Sequence, residues 1–226
     1  MKFDFDIRPS DSSFVESVWQ TQTAGGGSFI SIAASHWEMV FTKQKGKFTL
    51  SIRGPETKAS LAPIPTGHVE YFGIIFKCDV FMHYLPKKTL VNDAVHLPET
   101  IKNSFWLQGE TWEFPNFENA DTFVSRLTRN EMLLQDNVVK DVLLGRTREL
   151  SLRSVQRRFL HVTGLAYKTI QQIERARQAL IMLQSGTPIL ETATQAGYFD
   201  QSHLTRSLKL FSGQTPIDIV KSSHVK

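Results

Sequence analysis

Two periods of apolar residues divide the chain. Up to about residue 115, apolar positions alternate with polar ones or bunch into short β-branched and aromatic runs at 14–20, 37–42 and 47–53. Turn formers separate them: Gly25 to Gly27, Gly46, and the pair Gly54-Pro55. Residues 69–78 are the most apolar run and read as a central strand; 79–85 read as one short helix, capped by Asp79 and ended by Pro86. Many short strands with regular turns predict a small barrel or jelly roll. From Asn116 the spacing becomes helical. Ala120, Phe123 and Leu127 share a stripe, and 132–144 continue it with Leu133, Val138 and Val142. Residues 169–184 repeat the pattern through Ile173, Ala176, Leu180 and Leu183. The pattern predicts an α+β multidomain chain: an all-β barrel over 1–116, a helical linker over 117–135, and an all-α domain over 136–226.

Within the helical part, residues 189–216 read as two short helices joined by a tight turn. Ile189, Thr192, Ala193 and Ala196 recur at helical spacing, Gly197 supplies a left-handed stop, and Asp200 is a good N-cap for the next helix. There Leu204, Leu208 and Phe211 make the inward stripe. The other face carries Gln201, Ser202, Thr205, Arg206 and Lys209, donors and acceptors for base edges plus cations for phosphates. Gly213 and Pro216 close the unit. A second such unit begins at Ser151, with Leu152, Val155 and Phe159 inward and Arg153, Ser154, Gln156 and Arg157 outward, and ends at Gly164. Periodicity alone also fits an ordinary helical hairpin.

Charge sharpens the picture only when divided by position. Residues 1–120 hold 11 Lys+Arg against 13 Asp+Glu, net −2, whereas residues 121–226 hold 15 against 9, net +6. Ten of the twelve arginines lie in the second part, and arginine suits bidentate contact with phosphate and guanine. The single cysteine, Cys78, forms no intramolecular disulfide and points to a reducing compartment. No apolar run approaches bilayer length, and the first residues, MKFDFDIRPSD, lack the apolar segment of a secretory signal. These features place the protein in the cytoplasm, away from membranes.

The residues themselves go beyond periodicity. Ala193, Ala196-Gly197-Tyr198, Asp200, Ser202-His203-Leu204, Arg206, Phe211, Gly213 and Thr215-Pro216 closely resemble the signature of AraC/XylS-type bacterial transcription regulators. Ser151, Arg157, Phe159 and Gly164 resemble the first helix-turn-helix of the same domain, supported by 138–144, although 145–150 lack the usual alanine- and glycine-marked turn. Residues 169–184 resemble the family's connecting helix, including the Arg175 and Ala179 spacing. A stiff connector would set two recognition helices roughly 34 Å apart, one turn of DNA. At the other end, 15–19, 54–57 and 72–76 resemble an N-terminal domain found on some AraC-type regulators. The resemblance implies a cupin-like sensing or dimerisation domain and a sequence-specific regulator of double-stranded DNA. A small-molecule effector, RNA polymerase and a second copy of the chain are its further implied partners. It assigns base contacts to Arg153, Gln156, Arg157, Gln201, Ser202, Thr205 and Arg206, and phosphate contacts to Lys168 and Lys209. His203 takes an inward, structural place.

Catalysis finds no support. Catalytic cupins gather a close His pair, a carboxylate and a later histidine on one metal, but His36, His68, His83 and His96 are not so spaced. His68 and Glu70 share a strand face and are too few. No nucleophile elbow, phosphate loop or dinucleotide fingerprint occurs. The expectation is therefore no enzyme, no cofactor and no metal. Trp19, Trp37, Phe41, Tyr71 and Phe76 are candidates for lining an effector pocket, with a filled core as the alternative. A metal-dependent cupin enzyme and a protein-binding adaptor are the rival functions.

Overall fold

The computed structural model describes residues 4–85, 87–97, 103–146 and 150–224. Its N-terminal part is mostly strand and its C-terminal part is helical. The strands are β1 (Asp6–Arg8), β2 (Val15–Thr23), β3 (Gly27–Ser31), β4 (Glu38–Gln44), β5 (Lys47–Arg53), β6 (Ser60–Ile64), β7 (Val69–Phe76) and β8 (Val80–Phe81). A single turn, α1 (Lys87–Leu90), precedes β9 (Ala94–Leu97), β10 (Ser104–Leu107) and β11 (Glu110–Glu113). Then come α2 (Ala120–Arg129), β12 (Leu134–Gln135), α3 (Asn137–Leu143), α4 (Leu152–Thr163), α5 (Tyr167–Gln184), α6 (Ile189–Gln195), α7 (Gln201–Ser212) and α8 (Pro216–His224). Two compact units make up the chain: 1–27 with 36–55 and 64–164, and 28–35 with 56–63 and 165–226.

In the first unit, six strands form one antiparallel sheet in the order β1-β2-β7-β4-β5-β9. Register aligns Val18, Ile74, Met39 and Ile52 in one cross-strand row, and all four are wholly buried. Alternation along each strand sends these side chains to one face. The hairpin β10-β11 supplies Phe105, Leu107 and Trp112 to the same core, and α2 adds Ala120, Phe123, Val124 and Leu127. Among the described residues the sheet runs open from β1 to β9; the hairpin and α2 cover its inner face in place of further pairing.

Two helices expected from sequence take other forms. Residues 79–85 are not a helix: Val80 and Met82 are buried at a period of two, and β8 pairs with β12. The Asp79 carboxylate accepts from Gln135 Nε2 (2.8 Å) instead of capping a helix, and Trp37 Nε1 donates to the Val80 carbonyl (2.7 Å). Pro86 lies outside the described residues. The stretch 132–144 is broken by β12, because Asp136 turns its carboxylate onto the amides of Val138 and Val139 (2.9 and 3.0 Å) and starts α3 there.

The second unit joins α5 to α8 with a ribbon, β3 paired with β6, drawn from the strand-rich half of the chain. Ala179, Leu180, Leu183, Ala193, Leu204, Leu208 and Ile219 form its core, with Ile32 of the ribbon packed against it. The ribbon also serves the end of α7. The amide of Ala33 donates to the Phe211 carbonyl (2.7 Å) and that of Ala59 to Leu210 (2.8 Å), two of the carbonyls a helix leaves without internal partners. Pro216 was expected to close the α6-α7 unit but opens α8: a missing amide is tolerated in a first turn, and Thr215 and Asp218 cap each other's amides. The double variant Ala33→Pro/Ala59→Pro deletes both ribbon donors. Amide exchange in the last turn of α7 is expected to rise about tenfold while α5 keeps its protection. Unchanged exchange in α7 would show that its end does not need the ribbon.

Candidate nucleic-acid interface

Each expected reading helix is built from local signals. Helix α4 starts where the Ser151 Oγ accepts from the Ser154 amide (3.2 Å) and stops at Gly164 in the left-handed region (φ 77°). Helix α7 starts where Asp200 accepts from the His203 amide (2.6 Å) and stops at Gly213 (φ 73°). Supporting helices fix their orientation. Asp136, besides capping α3, accepts from Arg158 Nη1 of α4 (3.0 Å), so one carboxylate ties the two helices of the first unit. In the second, the turn between α6 and α7 has Gly197 at φ 72°, and Arg175 of α5 donates to its carbonyl (3.4 Å). The same guanidinium lies 5.7 Å from the Tyr198 ring, whose hydroxyl bonds Ser207 (2.9 Å).

On α4, Arg153, Gln156 and Arg157 are exposed, while Ser154 is half-buried. On α7, Gln201, Ser202, Arg206 and Lys209 are exposed; Thr205 is half-buried, its hydroxyl donating to the Gln201 carbonyl (2.8 Å). Lys168 is exposed on α5. His203 is half-buried and meets Tyr198 edge-on at 5.1 Å. Neither α4 nor α7 contains Asp or Glu. Both therefore present an outward face of amides, hydroxyls and cations at a helix N-terminus whose dipole also favours anions. Within the stretch 145–150, residues 147–149 lie outside the described residues.

One inward assignment changes. Leu152 is 82% exposed, because a side chain at the first helical position leans past the end of the helix, beyond the reach of the packing that buries Phe159. Phe199, which the sequence reading passed over, is 92% exposed directly before the Asp200 cap. The sequence signal for it is weak, because Tyr198 shares the same two-residue gap between helix stop and cap and is buried in the core.

The aromatic residues read as a pocket separate. Trp37 stacks on Phe76 at 4.0 Å within the core, and Trp19 lies on the opposite face over Gly73, donating to Glu38 (3.2 Å). Phe41 and Tyr71 border a cavity of about 460 Å³ in the first unit. Among the described residues no group of three or more His, Cys, Asp or Glu is placed to hold a metal ion, and no helix is long and apolar enough to cross a membrane.

A family model described as a helix-turn-helix domain matches residues 145–222. No curated protein matches the chain. Among solved structures it is similar to ToxT from Vibrio cholerae in a P21 crystal form, at 9% identity over 99% of this chain and 98% of that one, with a TM-score of 0.44. ToxT from Vibrio cholerae O395 gives 10% identity over 99% of each chain and a TM-score of 0.43.

The caps make a direct test of how the readers are held. Asp200→Ala and Ser151→Ala are each expected to lower stability by about 1 kcal/mol in urea denaturation, with an unchanged slope. No loss at Asp200 would mean that α7 is positioned by packing alone. The fixed-spacing motif, the two capped helices with acid-free outer faces and the match over 145–222 agree: the chain carries an AraC-type helix-turn-helix domain and is a DNA-binding regulator of transcription.

Proposed function

We propose that this regulator reads a specific operator through α4 and α7 and that a small molecule held by its N-terminal unit sets how well it does so. The observation that carries the DNA reading is the acid-free face of α7, where Gln201, Ser202, Arg206 and Lys209 stand exposed beside a capped N-terminus. Arg153, Gln156 and Arg157 play the same part on α4. Arginine at these places favours guanine, glutamine favours adenine, and Thr205 and Phe199 offer apolar surface to thymine methyls. Lys168 and Lys209 meet phosphate. The division into a sensing segment at 1–116, a linker at 117–135 and a reading segment at 136–226 belongs to this proposal, as do the cytoplasm as its place, a second copy and RNA polymerase as partners, and the absence of catalysis.

Control has a physical route in the ribbon. Its strands leave and rejoin the first unit at 27/28, 35/36, 55/56 and 63/64, and its amides hold the last carbonyls of α7. A change of shape in the first unit can therefore alter how firmly α7 is held. Fragments that begin at residue 130 lack the ribbon, so DNA binding is best measured on the full chain.

Titration of the full chain against its own upstream DNA and a scrambled duplex, at several salt concentrations, tests the reading. A preference of roughly a thousandfold with a steep salt slope is expected. Arg157→Ala and Arg206→Ala should each weaken operator binding by roughly 1–3 kcal/mol without unfolding the protein. Folded variants that bind like the parent would remove those two residues from the interface. Phe199→Ala should weaken binding to the same operator by about 1 kcal/mol and lose that effect when thymine is replaced by uracil. An equal loss on both duplexes would rule out the methyl contact.

A further inference from the structure

The inner face of the large sheet changes character along its strands. Register places three successive rows across β2, β7, β4 and β5: Val18-Ile74-Met39-Ile52, then Gln20-Phe72-Phe41-Leu50, then Gln22-Glu70-Lys43-Phe48. The first row is wholly apolar and buried, the second mixed, the third mostly polar, although all three point to the side that the core occupies. Residues 115–118 also line the space beside this end of the sheet, and the cavity of about 460 Å³ lies within the range of small-molecule sites.

Its charged residues are mostly acidic. Among the described residues, the carboxylates on its lining are Asp4, Asp6, Glu70 and Glu118 and the one cationic residue is Lys43, which is bonded to both oxygens of Glu70 (3.0 and 3.1 Å). That pair leaves Asp4, Asp6 and Glu118 as a net negative charge. The apolar surface is aromatic: Phe41, Phe48, Phe72 and Phe117. Two of these rings already face cations of the protein itself, Phe48 with Lys43 Nζ at 5.8 Å and Phe117 with the Arg8 guanidinium at 5.1 Å. Ring faces and carboxylates together attract a positive charge and repel a negative one, more strongly in a partly desolvated cavity than in water.

We infer that the cavity takes an organic cation, an ammonium or guanidinium on a flat apolar body, and that this is the effector class of the regulator. The inference rests on the proposal of ligand control. The apolar body lies on Phe41 and Phe72, and the charge goes to the rim that holds Asp4, Asp6 and Glu118. Gln20, whose Nε2 donates to Asp6 (2.9 Å), keeps one rim carboxylate in place.

Calorimetric titration of the full chain with phenethylammonium chloride and with sodium 3-phenylpropionate compares two probes of nearly the same body and opposite charge. The ammonium should bind roughly tenfold tighter or better, and Glu118→Gln should weaken it by a similar factor at an unchanged melting temperature. Equal or tighter binding of the carboxylate, or no heat from either at millimolar concentration, overturns the cation assignment. Adding the ammonium to the operator titration separates the two claims. Binding in the cavity with no change in DNA affinity ends the ligand-control reading and leaves the cation site standing; tighter carboxylate binding that does change DNA affinity does the reverse.

Discussion

The ends of short helices impose the constraint on which this structure turns. A helix of seven to twelve residues, as α3, α4, α6 and α7 are, leaves a large share of its amides and carbonyls without internal partners. Each open group must be met, and what meets it sets where the helix points. Asp136 meets the amides of α3 and with its other oxygen holds Arg158 of α4. Asp200 meets α7 at its start, and the Ala33 and Ala59 amides meet it at its end. The helices expected to read DNA are thus aimed by polar groups at their tips, while the outward faces stay clear of such duties.

The strand-rich unit solves a different problem. A six-stranded sheet has to cover one face, and here a hairpin and one amphipathic helix do so, with Trp37 on Phe76 and Phe105 beside Phe41 filling the gap. The cover extends over two of the three inner rows. The third row keeps Glu70 and Lys43 as a pair on the inner face, which a fully packed core would exclude because even paired charges are expensive to take out of water. The change from core to cavity is therefore gradual, row by row, along the same strands.

The ribbon of β3 and β6 links these two solutions. Its residues come from the strand-rich half, yet its amides satisfy α7 and Ile32 packs on the core of the helical unit. Ser35 adds a hydrogen bond to Glu174 on α5 (2.5 Å). Gly213 needs its positive φ to end α7, and a side chain there would also press on Ile30 and Ala59 of the ribbon. Composition in windows could not reveal this, since strand propensity says nothing about which core a strand joins.

By itself the sequence determined the local events. Ser151, Asp200, Gly164, Gly197 and Gly213 act through neighbours within a few residues, so the limits of α4 and α7 and the outward place of Arg157 and Arg206 were legible without a fold. So was the change from strand to helix near residue 116. Tertiary structure decided what depended on distant partners. Val80 and Phe81, within the stretch expected as a helix, became a strand because Leu134 and Gln135 pair there, and Leu134 and Gln135 left the helix for the same reason. Leu152 kept a core residue's spacing and yet stands in solvent, because spacing gives direction around a helix and not whether anything covers its end. Only register across β2, β7, β4 and β5 brought Gln22, Glu70 and Lys43 into one row, from positions up to 48 residues apart in the chain.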